Sequence, residues 1–211
     1  MASGELFSDE NKKVFTDPFS DNNPITIQVL GICSALAVTA KLQPSIVMGL
    51  AVIAVVCGSN IIVSLIRKLI PGQVRIIIEM IVVATLVILV DQLLKAFAYD
   101  MSLQLSVFVG LIITNCIVLG RLEAFAMGNK VWPSLLDGLG NGLGYAFIIA
   151  LVGFARELLG SGSVMGVKVI PAEAYELGYS NNGMMVLAPG AFILLGLIIW
   201  VQRTLSPQEE S

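Results

Sequence analysis

Hydrophobic positions in this chain come in long uncharged runs, not in the short alternations of half-buried strands or the one-sided stripes of surface helices. Residues 22–40, 42–66, 101–120, 138–155 and 177–202 contain no Asp, Glu, Lys or Arg and are 19, 25, 20, 18 and 26 residues long; 76–94 is broken only by Glu79 and Asp91. Each run is close to the ~20 residues an α-helix needs to cross a hydrocarbon layer of roughly 30 Å. The pattern predicts an all-α membrane protein with six transmembrane helices. A β-barrel fits poorly, because barrel strands read as short alternating segments whereas Ile76 to Val90 is nearly solid Ile, Val, Leu and Met. The helices are expected within 22–204, between a polar N-terminal tail over 1–21 and a short C-terminal tail over 205–211. The N-terminal segment lacks a cationic stretch leading into a short apolar run and does not read as a signal peptide.

Composition sharpens this picture. With 56% hydrophobic and 13% charged residues, against about a quarter charged in soluble domains, the surface must face lipid. A net charge of −3 with no basic face argues against nucleic-acid binding. The absence of His removes imidazole bases, His-held haem and His-built zinc sites. Sorting the basic residues by the face each would occupy puts Lys12, Lys13, Arg67, Lys68, Arg75, Arg121, Lys130 and Arg203 with the termini, and Lys41, Lys95, Arg156 and Lys168 opposite. The positive-inside rule then makes both termini cytoplasmic.

The two halves echo each other weakly. Leu30-Gly31-Ile32-Cys33 in span one is matched by Thr114-Asn115-Cys116 in span four, and Leu65-Ile66-Arg67 closing span two by Phe154-Ala155-Arg156 closing span five. The Cys-to-Arg separations are 34 and 40 residues, so the echo carries a small insertion. It suggests two three-helix units, 22–97 and 101–204. Because three is odd, the second unit would enter the membrane inverted, with function at the interface near mid-depth. Pro24 and Gly31 in span one, and Gly110 and Asn115 in span four, favour interruption of both Cys-bearing helices. Counted from the flanking charges, Cys33 is twelfth in its run and Cys116 sixteenth. Either span four extends past Arg121 toward Ala126 or an interruption shifts the count.

Three cysteines are present, with no CxxC spacing. Cys57 has no counterpart in the second half and reads as a small apolar filler. Cys33 and Cys116 hold matching positions of the echo. Iron–sulfur clusters take four thiolates, so two would form a half-site closed by a partner chain.

Several stretches around these thiols resemble one family. They are Asp21-Asn22-Asn23-Pro24, the run from Val29 through Cys33 to Thr39, Val74-Arg75-Ile76-Ile77, the run from Leu111 through Cys116 to Arg121, Glu123-Ala124-Phe125-Ala126, and Asp137-Gly138-Leu139-Gly140-Asn141-Gly142-Leu143-Gly144. They are similar to the D-type membrane subunits of Na⁺-translocating NADH:quinone reductases, over about Asn22 to Arg203. More distant relatives are the E-type subunits of the same enzymes and the corresponding subunits of Rnf ferredoxin:NAD⁺ reductases. In the Rnf relatives Pro typically follows the first thiol, where this chain has Ser34. The resemblance implies six helices in two inverted three-helix units with the first and fourth helices broken. It implies a homologous, oppositely inserted partner of the E type, with the A-, B-, C- and F-type subunits completing the complex in a bacterial inner membrane. It also implies a [2Fe-2S] cluster held by two thiolates from each of the two homologues, to which Cys33 and Cys116 correspond. Flavins and the NADH site fall to other subunits.

In agreement with a relay role, no GxGxxG fingerprint follows a strand, and Gly138, Gly140, Gly142 and Gly144 read as a close-packing helix surface. Asp91, Asp137 and Glu79 lie in or beside spans, where a carboxylate is costly and a functional candidate. Asp91 and Asp137 are the candidates for an ion pathway; Asp91 could instead bond Lys95, one turn on, and Glu79 could pair with Arg75. Rival readings are a cofactor-free secondary transporter working by alternating access and an inert assembly subunit. Both predict that Ser is tolerated at Cys33 and Cys116.

Overall fold

The computed structural model describes residues 9–20, 22–97, 110–165, 167–168 and 183–205. Eight α-helices are bounded among them. They are α1 (Asp9–Ser20), α2 (Ile32–Val38), α3 (Leu42–Ile66), α4 (Arg75–Phe97), α5 (Cys116–Arg121), α6 (Val131–Ser161), α7 (Gly183–Val186) and α8 (Ala188–Leu205). The only described strands are a two-residue antiparallel pair, Ser163–Val164 with Val167–Lys168. Three stretches, Leu42–Ile66, Gly72–Phe97 and Val131–Ser161, are long and apolar enough to cross a membrane, and Ala188–Thr204 is a shorter apolar helix. Parts of the expected fourth and sixth spans, 101–109 and 177–182, lie outside the described residues, as do 1–8, 21 and 206–211 of the expected tails.

Helix α3 matches the uncharged run 42–66, but α6 overshoots the run 138–155 at both ends. Charges fail as a ruler there because Asp137, Arg156 and Glu157 are buried within the helix, each bonded to other elements. At 1.5 Å per residue α6 is about 46 Å long, more than a hydrocarbon layer requires. It stops at Gly162, whose left-handed φ of 68° closes the last turn by a bond from its N–H to the Leu158 carbonyl.

α3 and α6 form the centre of the fold and run antiparallel. Gly142 lies against Ile53, Gly138 against Cys57, Gly49 against Ala146 and Gly153 against Ser45. The Asn60 amide donates to the Ser134 carbonyl at 2.9 Å. Both helices open alike, with Lys41-Leu42-Gln43-Pro44-Ser45 and Lys130-Val131-Trp132-Pro133-Ser134, 89 residues apart. In each, proline sits in the first turn, where its missing N–H costs nothing. In each, the serine hydroxyl donates back to the lysine carbonyl, at 2.7 and 2.9 Å. From that lysine to Arg67 or Arg156 is 26 residues in both halves. The whole six-residue difference therefore falls between Cys116 and Lys130, where α5 continues into a π-helical turn, Leu122–Ala126. Both features expected to shift the thiol positions are present in the backbone: continuation past Arg121 and a break before Cys116.

α4 buries only Glu79, Val83 and Val87, a stripe one residue wide at four-residue spacing. Ile76, Ile77, Ile81, Ile88, Leu89 and Leu93 point outward, as lipid would favour. The segment expected as a polar tail is helical from Asp9 to Ser20 and lies on α6. Gly140 and Gly144 make this possible: a Cβ on them would stand 2.7 Å from the Phe15 carbonyl oxygen and 2.9 Å from that of Pro18. The alternating glycines thus serve two neighbours, Gly138 and Gly142 facing α3, Gly140 and Gly144 facing α1.

Candidate functional site

The two predicted thiols start two short helices that meet. Within 22–40 the backbone turns repeatedly before Gly31, and α2 begins at Ile32, so Cys33 is its second residue. Residues 110–113 are helical, Thr114 turns, Asn115 is extended, and α5 begins at Cys116. The Asn115 side chain caps α5 by accepting from the Ile117 N–H at 3.3 Å. Its amide donates to the Ser34 hydroxyl at 3.1 Å. Ser34 also bonds the Gly31 carbonyl at 2.9 Å and the Tyr145 hydroxyl of α6 at 2.7 Å. Gly31 is required at this junction, with φ at 78° and any Cβ 2.9 Å from the Tyr145 ring. The residues flanking each thiol are therefore in direct contact, while Cys33 and Cys116 themselves are exposed. Cys57 is half-buried and its backbone packs on Gly138, as suits a filler.

Among the described residues no cluster of three or more Cys, Asp or Glu side chains could hold a metal. The donor set this chain offers is two outward-facing thiols supported by a buried hydroxyl and amide network. That fits half of a four-thiolate cluster and does not fit a complete one.

The acidic candidates separate. Asp137, with 3% of its side chain exposed, receives two bonds from Arg121, of which Nε to Oδ2 is 3.0 Å. Asn141 donates to Asp137 Oδ1 and to its carbonyl, both at 3.0 Å, and Arg121 also reaches Gln28. This group lines a 270 Å³ cavity roofed by Val14, Asp17 and Pro18 of α1. Asp91 is not part of it and bonds Lys95, as the spacing suggested. Glu79 does not pair with Arg75: the arginine turns to Glu123 across the π-helical turn, leaving Glu79 buried with Oε1 unpartnered. A bidentate Arg–carboxylate bond and a cross-element partner cannot be inferred from spacing on one helix. For that reason the sequence does not announce Arg121, Tyr145 or Arg156 as parts of the site; Arg156 is marked only as the counterpart of Arg67 in the echo, a match that the shared 26-residue Lys-to-Arg interval strengthens.

A family model described as "Rnf-Nqr subunit, membrane protein" matches residues 11–199. The chain belongs to this family. It is 58% identical over 201 residues to the D-type subunit of the Na(+)-translocating NADH-quinone reductase of Tolumonas auensis, covering 95% of this chain and 94% of that one. It is also 58% identical over 200 residues to the D-type subunit of the same enzyme from Photobacterium profundum, covering 95% of each. The Rnf-Nqr match begins inside α1, so the helix on α6 lies largely within the family's extent. Both thiols, the Ser34–Asn115 contact and the Arg121–Asp137 pair fall within the matched region.

Proposed function

We propose that this chain is the D-type electron-relay subunit of a redox-driven Na⁺ pump, an NADH:quinone reductase, presenting Cys33 and Cys116 as one half of a [2Fe-2S] centre. The observation that supports this reading is the contact between Ser34 and Asn115, which joins the residues next to two exposed thiols that are 83 residues apart in sequence. When bound, such a centre supplies a one-electron stepping stone that divides a barrier of roughly 30 Å into two shorter transfers. In this chain the side chains of Asn115 and Ser34 join the two helix starts that carry the thiols. The partner offering the other two thiols is a homologous, oppositely oriented E-type chain, with the A-, B-, C- and F-type subunits carrying flavins, NADH and quinone.

The antiparallel α3–α6 pair with its 89-residue offset supports two inverted three-helix units and six spans. The helix starts at Ile32 and Cys116, each after non-helical backbone, support interruption of the first and fourth. For orientation, Arg156 and Arg121 lie within helices, bonded inside the fold, and belong to no loop, which leaves the basic residues seven to three in favour of cytoplasmic termini in an inner membrane. Asp137, beside a polar cavity, is the better placed acid for an ion path, and Asp91 the second. An Rnf subunit is the less favoured assignment, because Pro at position 34 would forfeit all three hydroxyl bonds that Ser34 makes.

The test is iron and acid-labile sulfide in the assembled enzyme. Cys33→Ser and Cys116→Ser lose the centre and Cys57→Ser keeps it. Full iron in either of the first two rejects the assignment and favours a cofactor-free transporter.

A further inference from the structure

Arg156 is a cation inside the fold with only 1% of its surface exposed. Its Nε donates to the Met185 carbonyl at 2.9 Å. Nη1 donates to the Leu36 carbonyl at 3.3 Å and the Thr39 hydroxyl at 2.7 Å. Nη2 donates to the carbonyls of Val186 at 2.6 Å and Leu187 at 3.2 Å. All five N–H groups are thus spent, and among the described residues no carboxylate lies within ion-pair distance. Glu157, next in sequence, turns its oxygens to the N–H groups of Leu42 and Met165, at 2.7 and 2.8 Å.

Capping carbonyls does not require a charge; a neutral amide or hydroxyl does it without the cost of burying a guanidinium. The carbonyl ends of helices offset part of that charge, but α2 has only seven residues. What makes the position informative is the other end of α2. Leu36 and Thr39 are three and six residues after Cys33, about 4.5 and 9 Å along the axis, and the guanidinium sits beyond the oxygens they offer, so the cation stands roughly two turns from the thiol. A four-thiolate two-iron centre is anionic in both redox states and more so when reduced. Arg67, the counterpart of Arg156 in the other half, bonds the Asn129 carbonyl together with Ser64. Asn129 is thirteen residues past Cys116, so that clamp is remote from its thiol.

We infer that Arg156 is a positioning residue for the Cys33 side of the site: it anchors the carbonyl end of α2 and supplies a buried positive charge that favours the reduced state of the centre the thiols hold. The inference rests on the relay function proposed for those thiols. In the assembled enzyme, Arg156→Gln shifts the midpoint potential of the Cys33/Cys116-dependent signal downward by at least a tenfold change in the reduced-to-oxidised ratio, about 59 mV for one electron. Arg156→Lys, which keeps the charge but cannot span both sets of carbonyls, holds the potential near wild type and retains iron about tenfold less tightly against chelator. Arg67→Gln leaves the potential unchanged. An unaltered potential in Arg156→Gln overturns the inference. Should that variant fail to assemble, Arg156→Lys decides, and wild-type chelator resistance there overturns it. Iron persisting in Cys33→Ser would instead refute the underlying relay function.

Discussion

Arg121 and Asp137 come from different elements, and neither is well solvated, with 15% and 3% of their side chains exposed. Breaking a buried pair by removing one partner typically costs about 3–5 kcal/mol, more than the pair contributes when replaced whole by apolar groups. Arg121→Met should therefore destabilise the solubilised complex strongly, with Asp137 left to Asn141 alone, and adding Asp137→Leu should recover much of the loss. Thermal unfolding of both single variants and the double variant measures this coupling. If Asp137 serves the ion path, the double variant regains stability yet has an altered Na⁺ dependence of turnover. At this scale the two helix starts that carry the thiols are legible in the sequence because Gly31 and Asn115 mark them. Their supports are not: Tyr145 reaches Ser34 across 111 positions, and Arg156 reaches Leu36 across 120, through contacts that exist only once α6 has packed.

Helices are legible where charges happen to flank the apolar run, as for 42–66, and obscured where the protein itself satisfies a charge, as at both ends of α6. The proposed repeat shows only faintly through the cysteines, because the six extra residues after Cys116 shift everything downstream; the Lys-x-x-Pro-Ser helix openings keep register and support it better. Nothing in the polar composition of the N-terminal helix announces a docking groove, which is written instead in the glycines of α6. Gly140→Ala would drive a methyl group into the Phe15 carbonyl at 2.7 Å. Overpacking of this kind costs about 1–3 kcal/mol, and the weaker element yields first. Limited proteolysis should then cleave within 9–20 faster than in the parent, while Gly196→Ala, where nothing lies within 4 Å, leaves cleavage unchanged.

At the scale of the whole molecule, antiparallel α3 and α6 put Lys41 and Lys130 at opposite ends of the core. In a Cys57→Ser background, Lys130→Cys should react with a membrane-impermeant maleimide from the cytoplasmic side and Lys41→Cys from the other, compared in inverted and right-side-out vesicles. Reaction of both from one side would refute the arrangement. On the proposed reading of two inverted units offset by 89 residues, position 53 faces its own counterpart, position 142, and there Ile53 lies against Gly142. Two isoleucines would collide there and two glycines would leave a hole, so the contact closes because its two members differ in size. On that reading the two halves differ where they meet, one keeping bulk and the other surrendering it.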